Sequence, residues 1–119
     1  MSKADASLLS SDLSTQSALL ASGAVSSSEL ITQQLAAIAA SQAQVNSYIH
    51  VDAQGALAAA AASDQRRANG TARPLEGLPV AVKDNIDVAG MVTTAGMETR
   101  RHDAPATDDN PAVAALRAA

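Results

Sequence analysis

The run Leu78–Val82 constrains this chain more than any other stretch. Leu-Pro-Val-Ala-Val leads directly into Lys83 and then into Asp84-Asn85. Every position of the run is apolar, both valines are β-branched, and Gly77 precedes it, a pattern that predicts a short buried strand. Pro79 stands near the start, where its missing N–H disturbs a ladder least. Such a strand would end by presenting one cation beside a carboxylate and an amide. Open α/β sheets place their chemistry at strand ends of this kind.

Composition limits what can be packed around that strand. A length of 119 residues suits one domain. Hydrophobic residues make up 47 %, but much of that is alanine, and Tyr48 is the single aromatic. A core of Ala, Val, Leu and Ile buries less area per residue than one with aromatic rings. The chain is therefore expected to be marginal alone, or part of something larger. A net charge of −4 offers no basic surface, so no direct nucleic-acid partner is expected. The absence of cysteine excludes disulfides, Cys-ligated zinc and thiol catalysis. The longest apolar run, Ala56–Ala62, is too short and too alanine-rich to span a bilayer, and Met1-Ser-Lys-Ala-Asp opens no signal peptide. No membrane partner and a cytoplasmic location are the expectations.

Helices are expected on both sides of the strand. Residues 1–11 read as a flexible tail. A short helix from Asp12 carries Leu13, Leu19 and Leu20 and stops near Ser22-Gly23. Ser26 and Glu29 stand at capping-box spacing before a helix of about 28–41, whose Leu30, Ile31, Leu35 and Ile38 form one stripe. Val45–Val51 reads as a short extended segment. Asp52 caps an alanine-rich helix, Ala53–Ala68, with Arg66 and Arg67 complementing the dipole of its last turn. Beyond Lys83, Ala89-Gly90 offers a turn, Val92–Thr94 a second extended piece, and Met97–Thr107 an irregular charged stretch. Asn110 and Pro111 then open a final helix with Val113 and Leu116 facing inward. His50 and His102 are too isolated to suggest a metal site, and no glycine-rich phosphate loop is present, so neither metal nor cofactor is expected.

The stretch Leu75–Gly90, centred on Val82-Lys83-Asp84-Asn85 and followed by Thr93-Thr94-Ala95-Gly96, resembles the amidase signature family. The resemblance runs from about residue 12 through the final helix and includes Ser28-Glu29-Leu30. Met97 departs from it, since the family very often has serine after that glycine. The resemblance implies an α/β fold with a mixed β-sheet core covered by helices. Of that fold, residues 1–119 would be the incomplete N-terminal part of one domain. It implies hydrolysis of carboxamide C–N bonds, other than peptide bonds, through a Ser-Ser-Lys triad, with Lys83 as its lysine. A lysine acting as a base must be neutral, and removal from water disfavours the charged form. It would relay a proton through one serine from the serine that attacks the carbonyl, while backbone N–H groups hold the oxyanion. Both serines belong to a Gly/Ser-rich segment absent from these residues, so the isolated chain is expected to be inactive. The implied partners are a small-molecule amide, the C-terminal remainder of the same domain, and a second copy in a full-length homodimer. Two other readings stand beside this one. The first is the A subunit of a tRNA-dependent amidotransferase acting on glutamyl-tRNA(Gln) or aspartyl-tRNA(Asn). The second is a short, non-catalytic interaction module derived from an amidase.

Overall fold

A helix forms where its first N–H groups and last carbonyls find partners as well as where its face is apolar. Those end signals place the helices described below. The computed structural model describes residues 8–119, and most of the expected tail, residues 1–7, lies outside them. The chain divides into two compact units, Met1–Pro79 and Val80–Ala119.

The first unit holds α1 (Leu13–Ser22), α2 (Ser27–Val45) and α3 (Ala53–Ala68). Asp12 caps α1 by accepting from Thr15 N at 2.7 Å, and α1 ends at Gly23 in the left-handed region. Ser26 and Glu29 close the capping box in both directions, at 3.1 and 2.8 Å. Asp52 accepts from Gly55 N at 2.9 Å to start α3. α2 packs along α3. The buried apolar residues of this unit are Leu20, Leu30, Ile31 and Ala60, while Leu35 and Ile38 of the expected stripe are only half-buried. Leu13 and Leu57 lie largely in solvent.

Packing in this unit rests as much on polar groups as on that small core. Asp64, on α3, accepts from Ser27 N (2.7 Å), Ser28 N (3.0 Å) and the Ser28 hydroxyl (2.5 Å). It therefore caps α2 from outside. Burial works to raise the Asp64 pKa, but the Ser28 hydroxyl, the Ser28 and Ser27 N–H groups and the Arg67 charge together lower it. Ser27 is buried and donates to the Gly77 carbonyl at 2.9 Å. A Cβ on Gly77 would sit 3.0 Å from Ser27 Cβ and Oγ, and Gly77 has φ +84°. Close approach and backbone sign both demand glycine there.

The second unit contains a 3-10 turn (Glu98–Arg100) and α4 (Pro111–Ala118) joined by loops. Asn110 caps α4 by accepting from Ala112 N at 3.0 Å, with Pro111 in the first turn. Val88, Thr94 and Val113 are its buried residues, and Leu116 is exposed rather than inward-facing.

The expected α/β architecture is not observed. Among the described residues the regular structure is all helical, with no strand and no sheet. Val80 is 58 % exposed and Val82 37 %, so Leu78–Val82 is not a buried strand. A strand is stable only when neighbouring strands take its backbone N–H and C=O groups. Among the described residues no backbone hydrogen bond joins residues 79–82 to another segment. Val92–Thr94 and the segment after Val45 likewise lack ladder partners. The apolar pattern was present, but the pairing that turns a pattern into a sheet was not.

Candidate functional site

Lys83 begins a turn in which its carbonyl accepts from Ile86 N at 3.0 Å. The residue is exposed, and its side chain forms no ion pair or hydrogen bond among the described residues. The expected exit from a buried strand is thus replaced by an open turn. Asn85 is exposed as well.

The next residue is held firmly. Asp84 Oδ1 accepts from Thr94 N at 2.9 Å, Oδ2 accepts from the Thr94 hydroxyl, and Gly96 N reaches Oδ2 at a longer 3.4 Å. The Asp84 carbonyl accepts from Ala95 N at 2.6 Å. The Thr94 hydroxyl and then its N–H lower the Asp84 pKa against the desolvation that would raise it, with smaller help from Gly96 N and the Arg100 charge. Asp87 makes a parallel bond, accepting from the Thr93 hydroxyl at 2.6 Å. The two threonines of Thr93-Thr94-Ala95-Gly96 therefore serve the two carboxylates that follow Lys83. That pairing gives the motif spacing a physical reason.

The second turn is unusual in its backbone. Met97 N bonds to the Thr94 carbonyl at 2.9 Å, and the central residues Ala95 and Gly96 have φ 51° and 76°. Two left-handed residues in sequence are the mark of a type I′ turn, and the alanine is strained there. The loop is then tied to α4. Asn110 N bonds to the Asp87 carbonyl (2.9 Å), and Asp109 accepts from Ala89 N (2.9 Å) and from Arg117 (2.6 Å). Asp103 pairs with Arg100, and Asp108 accepts from Thr107. Among the described residues no cluster of His, Cys, Asp or Glu could hold a metal ion, and both histidines are exposed.

The first unit holds a charge cluster that reading the sequence did not find. Glu76 is 1 % exposed. Its carboxylate accepts from Arg66 Nε and Nη2 (both 2.8 Å), Arg73 Nε (2.8 Å) and the Ser63 hydroxyl (2.5 Å), while Arg67 Nη2 donates to its carbonyl at 2.6 Å. Hydrogen bonds from Arg66 and then Arg73 hold this carboxyl far below the ordinary carboxylate range, outweighing desolvation. Arg66 and Arg67 do more than complement a helix dipole. Arg66, with Arg73, neutralises a buried anion in the connection that leads to Lys83, and Arg67 holds the backbone carbonyl of the same residue. The available signal was a lone glutamate between Leu75 and Gly77 with three arginines shortly before it.

The family model described as Amidase matches residues 29–119. AmiA2 of Mycobacterium tuberculosis, provisionally named an amidase, is 50 % identical over 100 residues, covering 84 % of this chain and 20 % of that protein. The A subunit of the glutamyl-tRNA(Gln) amidotransferase of Roseiflexus castenholzii is 44 % identical over 101 residues, covering 85 % of this chain and 20 % of the relative. A solved structure, described as a vestigial protein complex revealing the evolutionary origins of an s-triazine catabolic enzyme, superposes with a TM-score of 0.87. It is 35 % identical and covers 91 % of this chain and 24 % of its own. The chain thus spans about a fifth of the length of the curated relatives it matches. Among the described residues no helix is long and apolar enough to cross a membrane.

Proposed function

The chain belongs to the amidase family, and on that premise we propose that it is the N-terminal part of an enzyme that hydrolyses carboxamide C–N bonds. In this reading Lys83 is the base of a Ser-Ser-Lys triad. The observation that carries it is the setting of Lys83, a cation with no carboxylate partner on a turn whose following residues are pinned. The attacking serine adds to the amide carbonyl and its proton passes through the bridging serine to the lysine. The same proton then leaves with the departing amine, and water completes the hydrolysis of the acyl-enzyme. Both serines are assigned to residues beyond these 119. The buried serine hydroxyls among the described residues support that assignment, since Ser27 is spent on Gly77 and Ser63 on Glu76.

The test is ammonia release from simple carboxamides by the complete polypeptide. Lys83→Ala should lower kcat by about a thousandfold or more, as loss of a triad member does. A Lys83→Ala enzyme that keeps its rate sinks the proposal. Residues 1–119 alone should release no ammonia.

The similarity to the Roseiflexus protein favours a second reading, in which the amide is glutamine and partner subunits receive the ammonia. Lys83-dependent glutaminase activity without free amidase activity would select it.

A further inference from the structure

We propose that Asp84 is a positioning residue for Lys83, locking the turn that carries the lysine to the Thr94–Met97 turn. The inference rests on the reading of Lys83 as the triad base.

Three observations in the second unit carry it. Both Asp84 oxygens are occupied by uncharged donors, Thr94 N at 2.9 Å and the Thr94 hydroxyl, with Gly96 N adding to the second. An unengaged carboxylate next in sequence would compete for the ammonium as a salt-bridge partner, and Thr94 removes that competitor. The backbone that follows the lysine side chain's root is fixed twice, by Lys83 O to Ile86 N at 3.0 Å and by Asp84 O to Ala95 N at 2.6 Å. Finally, Ala95 keeps φ 51° inside this clamp. Such backbone persists where surrounding bonds over-determine it. The bonds that do so here are those of Asp84, Thr94 and the Thr93–Asp87 pair.

A base must be held to within a fraction of an ångström, and a misplacement of about 1 Å costs roughly a hundredfold in rate. The complete polypeptide should therefore lose about 10- to 100-fold in kcat in Asp84→Asn and in Thr94→Val, with KM changed less than about threefold. Thr94→Ser, which returns the hydroxyl, should recover most of the rate lost in Thr94→Val. The double variant Asp84→Asn/Thr94→Val should lose little more than either alone, because both changes open one clamp. Circular dichroism and melting temperature verify folding, and Thr94→Val and Thr94→Ser decide the matter if Asp84→Asn does not fold. Wild-type kcat in both single variants, beside an inactive Lys83→Ala, overturns the positioning role and leaves the catalytic lysine standing. Equal loss in Thr94→Val and Thr94→Ser overturns it too. A Lys83→Ala enzyme of undiminished activity overturns both.

Discussion

Glu76 and Asp84 flank the same short connection, yet they are satisfied by opposite chemistry. Glu76 is buried and neutralised by guanidinium groups. Asp84 is half-buried and held by a hydroxyl and backbone N–H groups. Full burial of a carboxylate needs cations close by, because hydrogen bonds alone rarely offset the loss of hydration. Partial burial can be met by neutral donors. The difference suits the neighbourhoods. A guanidinium bonded to Asp84 would bring positive charge up against Lys83, whereas threonine fixes the turn and adds none. Cations hold the scaffold, and neutral donors hold the turn proposed to act.

That contrast can be broken most directly by removing each carboxylate in turn. Glu76→Ala leaves Arg66 and Arg73 without their shared carboxylate and should cost about 3 kcal/mol in urea unfolding. Asp84→Ala should cost less, about 1–2 kcal/mol, since water can replace part of what it provides. Equal losses would erase the distinction. Acid reads the same difference. The Glu76 pKa is lowered from 4.5 in the folded chain, so its stabilisation is complete above that pH and drains away as pH falls below it. Asp84 is lowered from 3.8 and begins to lose its contribution later. A Glu76→Gln chain should show a flatter decline of stability below pH 4.5, and an unchanged decline would deny the carboxylate its role. Gly77→Ala should cost about 2 kcal/mol by combining a positive φ with the approach to Ser27. Thr94→Val should cost about 1 kcal/mol in unfolding. The smallest change is of opposite sign. Ala95→Gly relieves a left-handed alanine and loosens the unfolded chain, for a net gain below about 1 kcal/mol. A loss there would mean that the turn is not strained.

What could be read beforehand follows the range of the interactions. Ser26 with Glu29, Asp52 and Asn110 with Pro111 cap helices as expected, because each cap is closed within a few residues. The motif around Lys83 pointed to its family for a related reason, since its spacing reflects two local carboxylate–threonine pairs. Leu78–Val82 misled because a strand is a property of its neighbours, and an apolar run carries no information about whether they are present. Asp64 and Glu76 escaped notice because their partners are chosen by the packing of α3 against α2 and against the connection after it. Only Arg73, three residues before Glu76, is a local partner of either acid.

The external cap at Asp64 has a consequence for the order of folding. The hydrogen bonds it makes to α2 join residues 36 and 37 apart in the chain. The first turn of α2 is therefore complete only once α3 has returned to meet it. Fraying of that turn and undocking of α3 become one event, so amide protons at Ser27 and Ser28 should exchange together with those in the second half of α3.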